Sequence, residues 1–550
     1  MIETLKTFTA LSEEFVELLM KHDPVAATDA GIHDYDAALP DDSPDGLRAR
    51  SAWLRDLDQR LVASVPWDEL PLESRVDFAL LRSRIATLRA ELEEMRVPTR
   101  EPARFLLRAF RGVQLLLGRP FAPLDERKES AVARLMAIPD YLEAAGANLD
   151  AVPAIQLEAG VELAVRGPAF VDDVVRRLLR SFPGEAERLE HAGGRARTGF
   201  LRFHDRLDRE LRPRATDAFA LSERWLNYRL ERTHLLGWNS ADVERLARER
   251  AAELAIELED EARRIDPRRD WRELLEEGRR RCPEASWVRE TYIAEIDRAR
   301  QLVIDRRIAS LPEGEKLEVA ELPAYERGPL DPVGYQGPAP LDADSTGTFL
   351  FQPVDLRRDK DEQARQLRRH CAPLLPLFVA RDGYPGRHLL RVHGNRASSR
   401  LRRITNDTVM ADGWASYAEE LMAEEGFLTP DPAGRLFQLA SALRRAVAAE
   451  VSVGLHCGRL APPAAAARLA DAAGLEPDEA EAEVRACCVS AGRGVGALVG
   501  RQALRDLAAE TRKRLGGAFD RARFHDAALG SGVLPPALVR EELGERLGRP

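Results

Sequence analysis

Apolar residues recur at three- and four-residue steps along almost the whole chain, and this periodicity limits the fold more than any other feature. Its first instance, Leu5, Phe8, Leu11, Phe15, Leu18 and Leu19, lies on one stripe of a helix. The same spacing predicts helices over 44–64, 72–96, 124–147, 153–181, 239–265 and 285–310. It continues over 359–396, 406–426, 432–456, 462–473, 477–489 and 497–515, with short helical stretches around 520–529 and from 535. Start signals agree. Asp23-Pro24 and Ser43-Pro44 set a capping side chain before a proline that the first turn tolerates, and Asn239-Ser240 caps the stretch after it. Only 317–355 departs from this pattern. There LEVAELPAY and GTFLFQPVD are short β-prone segments around a Pro/Gly-rich stretch, GPLDPVGYQGPAPLDADSTG, which predicts a small sheet or hairpin. No unit repeats at a period of roughly 20–50 residues, which argues against a solenoid.

Composition narrows the partners. With 82 basic and 92 acidic residues in 550, the formal charge is −10, so a global basic footprint for nucleic acid or anionic membrane is absent. An apolar fraction of 44 % suffices for a buried core despite 32 % charged residues, which excludes a disordered chain. The opening MIETLKTFTALSEEFVELLMKHDPV mixes acids among its apolar residues and lacks the basic start and unbroken apolar run of a secretory signal, so the expected location is cytoplasmic. The most apolar run, LLPLFVA at 374–380, is far too short for a membrane span. Five scattered cysteines, Cys282, Cys371, Cys457, Cys487 and Cys488, form no C-x-x-C pair and are expected to be reduced core residues.

Two segments carry the candidate chemistry, RDGYPGRHLLRVHG at 381–394 and MADGWASYAEELMAEEGF at 410–427. Together with DPVAATDAGIHDYD at 23–36, TFLFQPVD and FHDAALGSGVLP at 524–535, in that chain order, they resemble the bacterial domain-of-unknown-function family 885. The resemblance implies one family-length helical unit over 1–550. It can be subdivided into an N-terminal helical part, 1–235, and a metallopeptidase-like part, 236–550, carrying the β segment 317–355. The expected fold is therefore mostly α, a large multi-helix metallopeptidase-like body with a small β hairpin or sheet near a cleft.

The family pattern reads His-Glu-x-Tyr-Pro-Gly-His-His-Leu-Gln, followed some thirty residues later by Glu-Gly-Trp-Ala-x-Tyr-x-Glu. It implies imidazoles and a carboxylate around Zn²⁺, with the Glu after the first His as the base that activates water. Here Arg381 and Asp382 stand at the first His and its Glu, Arg387 at the next ligand, Leu390 at the Gln and Asp412 at the Glu of the second segment. Tyr384, Pro385, Gly386, His388 and Glu419 are retained, and the Tyr384-Pro385-Gly386 run should bend 381–394 into two helical pieces. A guanidinium about 4 Å from Zn²⁺ at an effective dielectric near 20 is repelled by roughly 8 kcal/mol, and two by about 16. Structural zinc binding is worth roughly 10–16 kcal/mol with every ligand present. Neither metal nor other cofactor is therefore expected. The alternative is a weakly held divalent ion on Asp382, His388 and Asp412, suited to Mg²⁺ or Mn²⁺. At 486–500, Ala486, Cys487 and Ala497 stand where the resemblance implies an Arg and two tyrosines.

No catalytic residue is assigned; the altered positions are Arg381, Asp382, Arg387, His388, Asp412 and Glu419. Asp412, Ser416 and Glu419 share one face of a helix that should look into the cleft, while Trp414, Tyr417 and Leu421 share another that should serve the core. One arginine, Arg381 or Arg387, is expected to turn toward Asp412 with Asp382 or Glu419 beside it. His370, His393 and His456 have no ligand partner at a useful spacing. The expected function is a non-catalytic homologue that holds a peptide in its cleft, with no nucleic-acid or membrane partner. A hydrolase or peptidase with an altered metal site and a structural scaffold are the alternatives.

Overall fold

Caps form where the sequence places them. The Asp23 carboxylate accepts a hydrogen bond from the Ala26 amide at 3.0 Å and the Ser43 hydroxyl accepts one from Gly46 at 3.1 Å, starting helices Pro24–Ala30 and Pro44–Ser64. In the first helix, Ile2–His22, Phe8, Leu11 and Phe15 are buried. Leu5, Leu18 and Leu19 are only half-buried, because Val16 and Met20 continue the inward stripe in their place. The computed structural model describes residues 2–548 and resolves two units, Met1–Phe219 and Ala220–Pro550. Most described residues are helical.

In the first unit, helices Ala103–Gly118 and Ala186–Asp205 occupy stretches that periodicity leaves unassigned. Glycines explain the omission in the second of these helices. Gly193 and Gly199 read as helix breakers, yet a Cβ on Gly199 would lie 2.9 Å from the Pro139 Cα, so the residue permits close helix contact. The fully buried Arg134 donates to the carbonyls of Ala38, Gly112 and Pro24 and to the Thr28 hydroxyl, and Thr28 donates to Asp36 at 2.6 Å. The 23–36 motif is thus a polar framework around a buried cation, which accounts for its residue types without any chemistry.

The second unit carries the sheet. Strands β1 (Lys316–Glu321), β2 (Val333–Gln336) and β3 (Thr346–Phe351) assemble in the order β1-β3-β2. Because β1 runs parallel to β3 and β2 antiparallel to it, the element is a three-stranded mixed sheet and not a hairpin. Strand β2 lies inside the Pro/Gly-rich stretch expected to be a connection. Its four residues pair with β3 from Val333↔Phe351 to Gln336↔Thr348. The helical patterning over 359–396 is three helices, Lys360–Arg368, Leu375–Asp382 and Arg387–Gly394, the last two separated at the expected Tyr384-Pro385-Gly386 bend. Among the described residues, no helix is long and apolar enough to cross a membrane.

Candidate functional site

Helix Leu375–Asp382 stops at Gly383, and Arg387–Gly394 begins four residues later, after a cis Tyr384-Pro385 peptide. Gly386 is required at this bend, since a Cβ there would lie 1.9 Å from the Arg381 carbonyl oxygen. The Trp414 indole donates to the Pro385 carbonyl at 2.8 Å, fastening the bend to helix Thr408–Glu424. That helix meets Val495–Leu515 at backbone contact, where a Cβ on Gly500 would lie 1.9 Å from the Val409 oxygen. The bend and the glycine crossing together bring Arg381 and Arg387 to one carboxylate and Asp412 to Arg387.

That carboxylate is Asp382, fully buried. Arg381 donates to its Oδ2 from Nη2 at 2.8 Å and from Nε at 3.1 Å, while Arg387 donates to its Oδ1 from Nη1. The other arm of the Arg387 fork donates to Asp412 Oδ1 at 2.7 Å, so one guanidinium bridges two carboxylates on different helices. Burial pushes the Asp382 carboxyl up, but the two guanidiniums more than offset it and hold its pKa below the usual carboxylate range. Burial lowers the Arg387 pKa, and Asp382 and Asp412 reverse that shift, so it stays charged.

This donor set does not fit the implied zinc. Guanidinium has no lone pair to offer a metal, and both Asp382 oxygens are engaged. The alternative set fits no better, because His388 points elsewhere with both ring nitrogens bonded: Nε2 to Glu315 Oε2 at 3.0 Å and Nδ1 to the Tyr335 hydroxyl at 3.1 Å. Among the described residues no group of three or more His, Cys, Asp or Glu side chains is placed to hold a metal ion.

The remaining expected positions separate. Glu419 is buried and takes both arms of Arg445, at 3.1 and 2.7 Å, so its carboxylate is committed to a cation other than Arg381 or Arg387. Ser416 is buried and Asp412 is partly exposed, so the expected polar face does not act as one surface. Trp414 and Leu421 are core residues. Cys487 is buried and its thiol is pushed up to about 12, chiefly by burial, which removes it as a nucleophile at neutral pH. The residues around it that sequence reasoning missed are ionic. Glu483 accepts from Arg444 and Arg493, and Arg493 also reaches Asp331 at 3.2 Å. Nothing in their local sequence distinguishes them from solvated helix charges.

The model for "Bacterial protein of unknown function (DUF885)" matches residues 24–543. The chain belongs to DUF885. No curated protein matches it. Two solved structures share the DUF885 fold seen here. A "putative lipoprotein of unknown function" from Shewanella oneidensis is 19 % identical, with a TM-score of 0.79 and coverage of 98 % of this chain and 99 % of its own. A "putative lipoprotein" from Colwellia psychrerythraea is 16 % identical, with a TM-score of 0.81 and 99 % of each chain covered.

These neighbours correct the cytoplasmic expectation. A lipoprotein is anchored to a membrane through covalent lipid and needs no spanning helix, so the mixed polar and apolar residues at 1–25 carry no assignment of compartment. Residues Ile2–His22 form a helix with one buried face, so their composition reflects packing and gives no address.

Histidines elsewhere in this DUF885 chain make a pH-dependent contribution to stability. Burial lowers His370 and His525 to about 4, from an ordinary 6.5. His370 bonds Tyr292 at 2.9 Å, and His525 bonds the Ile308 carbonyl at 2.7 Å and the Tyr417 hydroxyl at 3.0 Å. A folded pKa below the unfolded one means that unfolding takes up protons. The contribution is therefore complete above about pH 6.5 and lost as pH falls toward 4. Urea unfolding at pH 7.5 and pH 5 should differ by about 2 kcal/mol for each histidine, and His370→Gln or His525→Gln should flatten the slope. Carboxylates with lowered pKa values, such as Asp382, Glu420 and Glu483, lose their contributions only below about pH 4. Stability that stays level from pH 7.5 to 5 would contradict the assignment.

Proposed function

We propose that this DUF885 member is a non-catalytic homologue of a zinc-metallopeptidase-like family, in which an internal guanidinium stands in the metal's place and the cleft still holds extended peptide. The observation that carries the reading is the Arg387 fork bridging Asp382 and Asp412. A positive side chain held between two carboxylates keeps their charges balanced where a lost cation would leave them uncompensated. The same contacts argue against a hydrolase that uses Asp382 as its base. That carboxyl is buried, hydrogen-bonded at both oxygens and held below the usual pKa range, so it is a weak proton acceptor at neutral pH.

Peptide binding is supported by β2, an edge strand of the sheet that packs on helix Leu375–Asp382. An edge strand offers main-chain donors and acceptors to an extended segment, independent of any metal. Amide hydrogen exchange with and without tryptic casein peptides tests this. Exchange should slow at Val333–Gln336, equally in the presence of EDTA, with the peptides left uncut. Unchanged exchange across the chain would favour a scaffold instead, and protection or cleavage abolished by EDTA would favour a metal-dependent hydrolase.

A further inference from the structure

The retained His388 belongs to a second buried constellation that the Arg381, Asp382 and Arg387 cluster does not use. Glu315, between helix Val288–Asp305 and β1, accepts from Arg300 Nε at 3.0 Å on Oε1, and from the Tyr384 hydroxyl and His388 Nε2 on Oε2. Burial pushes the Glu315 carboxyl up, and these donors bring it below the usual carboxylate range. It is therefore an anion that can only accept, which obliges His388 Nε2 to carry its proton. In the tautomer so fixed, with Nε2–H directed at Glu315, Nδ1 presents a lone pair. The Tyr335 hydroxyl, half-buried on edge strand β2, donates to that lone pair at 3.1 Å.

Gly347 on the central strand makes this approach possible. A Cβ there would lie 2.6 Å from His388 Nδ1 and 2.8 Å from the Tyr335 hydroxyl oxygen. Carboxylate, imidazole and hydroxyl stand in the order by which a base held in one tautomer withdraws a proton from a nucleophile.

We propose that Tyr335 is an activated nucleophile, prepared by the Glu315 and His388 relay to react with acyl- and sulfonyl-type electrophiles. This stands on the hydrogen-bond geometry alone and does not depend on the peptide reading. In reaction with an aryl sulfonyl fluoride, the Tyr335 oxygen bonds to sulfur and the S–F bond breaks. Fluoride leaves with the electron pair, and the phenolic proton passes to His388 Nδ1. Glu315 holds the Nε2 proton throughout and stabilises the imidazolium. His388 and Glu315 are positioning residues in this scheme.

The molecule contains its own comparison. Tyr417 donates to His525 Nε2 at 3.0 Å, but the other nitrogen of that ring donates to the Ile308 carbonyl, with no carboxylate behind it. Burial pushes the Tyr417 phenol up to about 12.

The test is labelling of the intact protein with 4-(2-aminoethyl)benzenesulfonyl fluoride at pH 7.5, with rates for each tyrosine read by peptide mass spectrometry. Tyr335 should label at least tenfold faster than Tyr417 and than the half-buried Tyr35 and Tyr228. His388→Gln, Glu315→Gln and Gly347→Ala should each remove that excess while leaving the other rates unchanged. A variant that merely unfolds is recognised because the buried Tyr292 and Tyr384 then gain reactivity. In that case the ordering of tyrosines in the unaltered protein decides alone. Tyr335 reacting no faster than Tyr417, or retaining its rate in a folded His388→Gln variant, would overturn the proposal.

Discussion

Replacing Arg387 by alanine is expected to lower the free energy of unfolding by about 3–5 kcal/mol at neutral pH, measured by urea denaturation. The substitution leaves Asp382, which has no solvent access, with Arg381 alone, and it removes the link from Asp382 to Asp412. The two arms of the fork should not count equally. Asp412 is 41 % exposed, so Asp412→Ala should cost no more than about 1 kcal/mol. Stability is also expected to recover in part when Asp382→Asn is added to Arg387→Ala, because the uncompensated charge is then gone. A loss below about 1 kcal/mol for Arg387→Ala would mean that the bridge is a solvent-screened contact and not a replacement for a cation.

The mostly helical architecture is readable because its signals are local. Pro44–Ser64 begins and ends where spacing, Ser43 and Pro44 predict. The break in 375–394 follows from Pro385 and Gly386, whose backbone effects need no tertiary partner. What escapes the sequence depends on distant neighbours. Strand β2 forms only because β3 supplies its partners, so VGYQ among prolines and glycines reads as a loop. Gly199 looks like a weakness until Pro139 is found against it. At the site, Arg381, Asp382, Arg387 and Asp412 draw attention because the resemblance implies other residue types there, and charge balance points to the Arg387 contact with Asp412. Glu315 and Tyr335 are not foreseeable, since an acid in PEGEK and an aromatic in VGYQ acquire meaning only when the fold sets them on either side of His388. Glu419 shows the opposite failure. Helical spacing puts it on the Asp412 face, but Arg445 from helix Gly434–His456 takes it as a partner.

The largest effect is expected from installing at the site the residue types that the proposed metallopeptidase-like pattern implies. Arg381 and Arg387 both reach Asp382, and Arg387 reaches Asp412, so side chains at 381, 387 and 412 converge on one volume. The combined variant Arg381→His, Asp382→Glu, Arg387→His and Asp412→Glu removes two fixed positive charges and supplies two imidazoles and a carboxylate. Given the roughly 10–16 kcal/mol available to a complete zinc site, it should take up about one zinc per chain and gain thermal stability from it. The most direct measurement is the elemental zinc content of the unaltered protein beside that variant, both prepared in zinc-supplemented medium without chelator. Less than about 0.1 zinc per chain is expected in the unaltered protein and about one in the variant. Near one zinc per chain in the unaltered protein would contradict the replacement of the metal by a guanidinium.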